Sequence, residues 1–238
     1  MDIVRQYFDN VIKGIEDTYE KEKDSLEAIS ELFYSHMVND GLVQLFGVKE
    51  GREFAIELNY RAGGLAAFHE LKFSDLVLHG LCDKKDLDNG TVYDDISYVK
   101  RFYDFYEIDD RDMFVLISEK GNEPLIIEMA KEAKRRKMTV VSVVNQKSYD
   151  ACGGSLNDYA DLVLDMGASY PDVSITIENI ETGSLRNNIS NSIAQMLMAE
   201  TYSLYIRDGK EAPILLSNNT TGAKEHNSSL LEGYGKRL

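Results

Sequence analysis

The chain has 238 residues, is 43% hydrophobic and carries a formal net charge of −15 at pH 7. It is long enough to bury a sizeable core, and its negative charge repels polyanions, so nucleic acid and anionic membranes are not expected partners. The basic run KRRK at 134–137 stands where a predicted helix ends. There it is expected to offset the helix dipole rather than to bind a polyanion.

The cysteine count and the chain start bear on compartment and cofactors. Cys82 and Cys152 are too few for a disulfide scaffold and lack metal-ligand spacing, so we expect reduced thiols, no metal and no cofactor. The opening MDIVRQYFDN lacks the basic start and apolar run of a signal peptide, and the longest apolar stretches fall far short of a membrane span. The sequence predicts a soluble, cytoplasmic protein.

Apolar residues recur at steps of three and four from Val4 to Met37, interrupted by the polar stretch EKEKDS. This spacing predicts one long helix or a helical pair over 2–39 with an apolar stripe. The stripe packs either on the chain's own sheet or on a second subunit, and the pattern leaves both open.

After a turn at 39–41, short apolar runs alternate with helical patterns. Strands are predicted at 42–48, 65–71, 113–118, 139–144 and 160–167. Helices are predicted from Glu53 to the glycine pair Gly63–Gly64 and from Pro124 to about Lys137. Such alternation implies a parallel sheet with right-handed crossovers.

Two further segments, 72–110 and 185–238, lie outside these predicted strands and helices. Residues 72–110 form a connection long enough for a lid or a subunit contact, with a helix predicted at 93–106. Another long helix is predicted at 185–207, followed by a tail rich in Ser, Asn and Gly.

Two strand-to-helix turns, Gly47–Arg52 and Ser118–Glu123, are expected to emerge at the same edge of the sheet and could share one ligand. The first lacks the Gly-Lys-Ser ending of a P-loop. The second offers a hydroxyl, a glycine and backbone N–H groups, which suit an anion. Its local sequence favours an ordinary helix cap, in which Asn122 or Glu123 satisfies the first N–H groups.

Four segments together resemble the SIS (sugar isomerase) domain family, and within it bacterial proteins related to phosphoheptose isomerases. These segments are EFAIELNYRAGGLA, VLISEKGNEPLIIEMAKEAKRRKMTVVSV, ADLVLDMG and PILLSNNTTGAKEHN. The resemblance implies an α/β three-layer sandwich with a five-stranded parallel sheet, flavodoxin-like and doubly wound, preceded by N-terminal helices. It also implies a homodimer or tetramer and a sugar phosphate or related carbohydrate derivative as ligand. We accordingly divide the chain into an N-terminal helical segment (1–40), an SIS domain (41–210) and a C-terminal tail packing on it (211–238).

The phosphate-binding residues expected from the family are largely replaced in this sequence. A Gly-x-Gly-x-Ser pattern is replaced around Gly47, and a Ser-x-Ser-Gly pattern keeps only its first serine and its glycine. A third set of small hydroxyl residues, expected at the start of the late helix, is only partly kept, as Ser184 with Arg186 and Asn187. The resemblance assigns ligand binding to Gly47, Lys49, Gly51, Arg52, Ser118, Lys120, Gly121, Asn122, Ser184 and Asn187. The cations Lys49, Arg52 and Lys120 could replace the missing hydroxyls, but four glutamates, Glu50, Glu53, Glu119 and Glu123, oppose an anion. A modified site is therefore expected rather than an intact one.

Glu57 matches the helical glutamate that phosphoheptose isomerases use as a base, and His226 is the candidate acid. The alternative for Glu57 is a solvated or ion-paired helix residue. Phosphoheptose isomerases place their histidine on a C-terminal helix, whereas His226 is expected in an irregular tail. His69 and His79 are interpreted as structural or surface residues.

Three functional classes follow. The first is a protein that binds a sugar phosphate or similar derivative, with aldose–ketose isomerase activity left open. The second is a non-catalytic SIS-fold sensor or structural homologue with a degenerate phosphate site. A sugar-responsive transcription factor is disfavoured, because the N-terminal segment is acidic and no separate DNA-binding domain is evident.

Overall fold

The structure is a computed structural model that describes residues 2–167 and 173–237. Its centre is a five-stranded, all-parallel sheet of strand order β2-β1-β3-β4-β5. The strands are β1 (Val43–Gly47), β2 (Phe68–Glu70), β3 (Met113–Ile117), β4 (Val140–Val144) and β5 (Leu162–Asp165). This is the flavodoxin-like doubly wound order, and the predicted fold class is confirmed.

Helices cover both faces of the sheet. They are α1 (Ile3–Met37), α2 (Arg52–Leu58), α3 (Phe73–Leu78), α4 (Lys84–Asp88), α5 (Tyr98–Tyr106), α6 (Pro124–Arg135), α7 (Gln146–Cys152), α8 (Arg186–Arg207) and α9 (Ala223–Glu232). Side chains of α1, α2 and α8 share one core with the sheet, and those of α3, α5 and α6 share the other. Strands β3 and β4 are buried along their whole length, so their sequences are apolar rather than alternating, except for Ser142 of β4, whose hydroxyl donates to Asn157 Oδ1 (2.7 Å).

The long α1 helix has two different halves. Its second half buries Leu26, Ile29 and Phe33 and packs against α8 and β5. In its first half, Val4 and Phe8 are 81% and 53% exposed. The second half of the stripe therefore covers the chain's own sheet, while the first half leaves apolar side chains without a cover among the described residues.

A two-stranded antiparallel hairpin, β6 (Val173–Ile177) and β7 (Ile180–Ser184), was not expected from the sequence. It lies beside the first half of α1, where the Tyr7 hydroxyl donates to the Ser184 carbonyl (2.8 Å). The side chain of Asn10 likewise donates to the Ser174 carbonyl (2.8 Å). These two hydrogen bonds attach the first half of α1 to the hairpin, while Val4 and Phe8 stay exposed.

The segment after β1 differs from the prediction. Helix α2 ends at Leu58, so the prediction that it reaches the glycine pair was wrong. The cause is tertiary, because residues around the pair form hydrogen bonds with the C-terminal segment: Gly63 N–H donates to the Leu215 carbonyl (2.7 Å) and Ala66 N–H to the Pro213 carbonyl (2.8 Å). Strand β2 is shorter than the predicted 65–71 for the same reason.

Two other boundaries also differ. The helix expected at 93–106 begins only at Tyr98, because Thr91–Tyr93 forms a separate 3₁₀ turn. The tail, expected to be irregular, contains α9, which starts after Gly222 in the left-handed conformation (φ 80°). Among the described residues, no helix has the length and apolarity needed to cross a membrane.

Candidate functional site

The two strand-to-helix turns singled out in the sequence lie side by side. Strand order reverses between β1 and β3, and Gly47 pairs with Ile117 at the carboxyl ends of these strands. Just beyond, Val48 N–H donates to the Ile117 carbonyl (3.0 Å). The predicted adjacency of the two strand ends is confirmed, whereas their lining of one pocket stays a prediction; they stand where doubly wound sheets hold their ligands.

The glycines of the first turn are required by close packing. A Cβ on Gly51 would lie 2.7 Å from the Ile117 carbonyl oxygen, and one on Gly47 would lie 2.5 Å from Cα of Arg52. Between them, Lys49 adopts a left-handed backbone conformation (φ 50°), which is uncommon for a residue with a side chain. The turn is therefore pressed against β3, and its strain is concentrated at the lysine.

The second turn is organised around the Ser118 hydroxyl. Its oxygen accepts hydrogen bonds from the N–H groups of Gly121 (2.8 Å) and Lys120 (3.2 Å). The hydroxyl donates to the carboxylate of Glu123 (2.6 Å), and both side chains are buried. Glu123 stands at the N-cap position of α6 without accepting a helix N–H. The expected helix cap by Glu123 was therefore wrong, because its carboxylate turns back to the serine.

Carboxylates already hold two of the cations near the turns. Lys49 Nζ lies 3.4 Å from the Glu123 carboxylate, and Arg186 at the start of α8 forms an ion pair with Glu119. An anion entering the crevice would meet donors that are already engaged by negative charge.

The other proposed ligand residues are dispersed. Arg52 pairs with the buried Glu70 of β2 (2.6 Å), so its guanidinium is already engaged by a carboxylate. Lys120 is exposed, and the Asn122 amide donates to the Cys152 carbonyl (3.2 Å). Ser184 ends strand β7 rather than starting the late helix, whereas Asn187 lies in the first turn of α8.

Glu57 lies on α2 beside a cavity of about 580 Å³ that α8 also lines, at Asn187 and Gln195 among others. Its carboxylate accepts from Gln195 Nε2 (2.8 Å) and pairs with Arg61 one helical turn away. Gln195 was not singled out in the sequence, because an amide in the middle of a long helix carries no local signal. The packing of α2 on α8 brings the two side chains together.

His226 lies on α9, so the expectation that it sits in an irregular tail was wrong. Its Nε2 is 2.9 Å from the Ile214 carbonyl and donates to it, since a carbonyl only accepts. The histidine lines a cavity of about 660 Å³ together with Tyr202 and Lys210. Gln195 and Ala199 border both this cavity and that of Glu57, so the two cavities adjoin along α8.

Within 2–167 and 173–237, no group of three or more His, Cys, Asp or Glu side chains is arranged to hold a metal ion. The side chains named above supply hydroxyl, amide, carboxylate, ammonium and imidazole groups. These groups suit hydrogen bonding to a polar small molecule and proton transfer.

Comparisons with known proteins agree with this architecture. A family model described as the SIS domain matches residues 6–145. A UPF0309 protein of Caldanaerobacter subterraneus is 30% identical over 243 residues, spanning 98% of this chain and 97% of that protein. A UPF0309 protein of Thermoanaerobacter pseudethanolicus is 29% identical over 245 residues, spanning 98% of each chain.

Solved structures share the fold at low sequence identity. The phosphoheptose isomerase GmhA of Neisseria gonorrhoeae superposes with a TM-score of 0.51 and 17% identity, covering 84% of this chain and 97% of that one. A phosphoheptose isomerase of Francisella tularensis gives 0.52 and 14%, covering 85% and 97%. With a domain model matching more than half of its length and close to full-length similarity to UPF0309 proteins, the chain belongs to the SIS domain family.

Proposed function

We propose that this protein binds a carbohydrate derivative, a sugar phosphate in the first instance, in the crevice where β1 and β3 end. The observation that carries the proposal is the adjacency of the two strand-to-helix turns at the reversal of strand order. Membership of the SIS domain family supports it. So does the common fold with two proteins named as phosphoheptose isomerases.

A phosphate ester would find its donors on both turns. They are the Lys49 ammonium, which lies 3.4 Å from the Glu123 carboxylate, and the N–H groups of Lys120 and Gly121, which donate to Ser118 Oγ. The Ser118 hydroxyl in turn donates to the buried Glu123 carboxylate. A phosphate must therefore displace or neutralise this carboxylate, since two anions sharing the same donors repel each other. We therefore expect the phosphate group to contribute less to the binding free energy than it would if a neutral residue stood in place of Glu123.

The buried carboxylate also favours a second candidate function. In it, Glu123 permanently occupies the anion position, and the protein is a non-catalytic sensor or structural homologue that binds a neutral carbohydrate derivative or none. The Ser118–Glu123 hydrogen bond supports this alternative, because it satisfies the hydroxyl of the second turn internally.

For catalysis, we propose that Glu57 acts as the base and His226 as the acid of an aldose–ketose isomerisation. A base removes a proton from one carbon and returns it to the next, while an acid moves the hydroxyl and carbonyl protons. Gln195 holds the Glu57 carboxylate through a 2.8 Å hydrogen bond. Because His226 donates from Nε2 to a carbonyl, its Nδ1 is the nitrogen that would exchange protons with a substrate.

Assembly is part of the proposal. The exposed apolar side chains at the start of α1 favour a homodimer or tetramer. Cytoplasmic location remains the expectation stated from the sequence.

The experiment that tests the proposal combines binding and turnover. A thermal-shift screen uses hexose, pentose and heptose phosphates and their unphosphorylated parents. A ligand at a hundred times its dissociation constant adds about 2.7 kcal/mol to the free energy of unfolding. Any ester that stabilises the protein is then incubated with it in D₂O, and deuterium incorporation next to the carbonyl carbon is followed by NMR.

Isomerase activity predicts incorporation that Glu57→Gln abolishes and that the matched control Glu53→Gln, one helical turn earlier, retains. Binding without incorporation would remove the catalytic part of the proposal and leave the sensor. Absence of stabilisation by every ester and parent would contradict the binding proposal itself.

A further inference from the structure

A separate cavity of about 460 Å³ lies beside the edge strand β2, between that strand and helices α3 and α5. Its polar lining comes from His69, Lys72, Asp75, His79 and Tyr106, among others. None of its lining residues belongs to the β1–β3 crevice or to the cavities of Glu57 and His226. The volume falls in the range of about 300 to 1,000 Å³ typical of small-molecule sites.

The orientation of His69 is set from inside the sheet. Its Nδ1 is 2.8 Å from Oε1 of Gln44, and Nε2 of Gln44 donates to the buried carboxylate of Asp112 (2.8 Å). A carboxylate only accepts hydrogen bonds, so the amide nitrogen of Gln44 faces Asp112 and its oxygen faces the imidazole. Nδ1 of His69 therefore carries a proton, and Nε2 of the neutral ring is a hydrogen-bond acceptor.

The acceptor nitrogen of His69 is open to the cavity. His69 is only 8% exposed, and its Nε2 has no hydrogen-bond partner in the described parts of the chain. Burial, with the nearby charges of Lys72 and Arg237, lowers the pKa of His69 to about 4 in spite of Asp75. The ring is thus neutral near pH 7. Because Nε2 is not one of the buried side-chain atoms that lack a partner among the described residues, it is open to the cavity, where an entering ligand can reach it.

The other cavity groups define what that partner offers. Asp75 accepts from the Tyr106 hydroxyl (2.8 Å) and lies 3.5 Å from Lys72 Nζ, so the two opposite charges balance. His79 Nδ1 donates to the Asp75 carbonyl (2.8 Å), which leaves its Nε2 as a second acceptor when the ring is neutral. An anion would meet Asp75, and a cation would meet Lys72. A hydroxyl group, which both donates and accepts, satisfies acceptors and donors alike.

From this juxtaposition we infer that the cavity beside β2 is a second binding site, whose ligand is a neutral polyhydroxy compound, a free sugar or polyol, with one hydroxyl donating to His69 Nε2. Aromatic side chains of Tyr60, Phe105 and Tyr106 among the lining residues add apolar surface for the C–H faces of such a ligand. This inference does not depend on the proposed function, because the crevice and this cavity share no residue.

The test uses full-length protein with ¹⁵N-labelled histidine and three probes, D-glucose, D-galactose and xylitol. Long-range ¹H–¹⁵N spectra distinguish protonated from unprotonated ring nitrogens, and His69→Gln and His79→Gln variants assign the signals. We expect the Nε2 signal of His69 to move saturably with at least one probe while the His36 signals stay unchanged. No movement of the His69 signal at saturating concentrations of all three probes would overturn the inference.

Affinity provides the second readout. Loss of one hydrogen bond of about 1.4 kcal/mol is a tenfold loss of affinity. We expect His69→Gln to weaken probe binding about tenfold. Lys72→Met, at a partly exposed position, should also weaken probe binding, while leaving the hydrogen bonds that join His69, Gln44 and Asp112 intact. The control Tyr202→Phe, in the cavity of His226, should bind the probe like the wild type. Unchanged probe affinity in both cavity variants would contradict the site.

The same variants separate this inference from the proposed function. A sugar phosphate bound in the β1–β3 crevice should keep its affinity in Lys72→Met, which lies outside that crevice. Failure of the neutral probes with retained ester binding would overturn only the second site. Failure of the ester with retained probe binding would overturn only the proposed function.

Discussion

Ser118 donates its hydroxyl hydrogen to the buried carboxylate of Glu123 over 2.6 Å, at the turn that leads into α6. The same hydroxyl oxygen accepts hydrogen bonds from two backbone N–H groups. These donors of the turn are therefore engaged by a serine whose own proton goes to a fixed negative charge. Lys49 from the neighbouring turn lies 3.4 Å from that carboxylate. The crevice therefore contains its own anion, which decides how strongly an external one can bind.

The packing of the two turns predicts a stability effect at Gly51. A methyl group there would meet the Ile117 carbonyl oxygen at 2.7 Å, so Gly51→Ala must displace the turn from β3. We expect a loss of about 1 to 3 kcal/mol in the free energy of unfolding, as is usual for overpacking. Urea titration measures it.

The matched control is Gly233→Ala, at a position with φ −60° where the added Cβ comes no closer than 3.2 Å to the Leu230 carbonyl oxygen. It should change the stability by no more than about 0.5 kcal/mol. Equal stability of the Gly51→Ala variant and the wild type would show that the turns are not pressed together.

His69 predicts a pH dependence of stability. Its pKa falls from 6.5 to about 4 on folding, so between these values the unfolded chain binds more protons than the folded one. Stability is then fully present above pH 6.5 and is lost as the pH falls toward 4. The loss amounts to roughly 3 kcal/mol, because a tenfold change in proton affinity is about 1.4 kcal/mol.

Urea unfolding at a series of pH values checks this. His69→Gln should flatten the dependence over this window, while the exposed His79→Gln should keep the wild-type slope. If the wild type and the His69 variant lost stability in parallel, the neutral buried imidazole would not be the source.

The exposed start of α1 predicts an oligomer. Phe8 and Ile12 are 53% and 40% exposed in the single chain, so replacing both with Glu should release monomers without unfolding the domain. A control with Lys13→Gln and Glu16→Gln, at exposed polar positions of the same helix, should assemble as the wild type does. Light scattering gives the mass, and circular dichroism confirms the fold. A monomeric wild-type protein would show that these side chains do not form an interface.

The sheet could be predicted because its signals are local. Continuous apolar runs marked β1, β3, β4 and β5, and the glycine-containing turns marked where helices begin. The boundary at Leu58 could not be predicted, because it is set by hydrogen bonds to a segment about 150 residues away in sequence, from Gly63 to Leu215. The α9 helix was hidden by residues that favour turns when considered singly.

The position of the candidate site could be predicted from the sequence, but the pairing of its side chains could not. Strand-to-helix turns identified the crevice, and both ends meet as expected. Arg52 pairs with Glu70, and Glu57 with Gln195, through tertiary contacts. Such contacts produce no periodic pattern in the sequence. Glu123 was expected to oppose an anion, but its burial against Ser118 became visible only in three dimensions.

The most direct test of the account is calorimetric titration of a sugar phosphate into the wild type and the Glu123→Gln variant, with Glu50→Gln as control. Gln keeps the size of the side chain and a hydrogen-bond acceptor for Ser118 while removing the charge that holds Lys49. If the crevice binds the phosphate, Glu123→Gln should tighten binding about tenfold or more, since charge-assisted hydrogen bonds are worth about 1.5 to 3 kcal/mol. Added salt should weaken binding, and Glu50→Gln should behave nearly as the wild type. Ester affinity unchanged by Glu123→Gln would show that the phosphate is not bound in this crevice and would contradict the account.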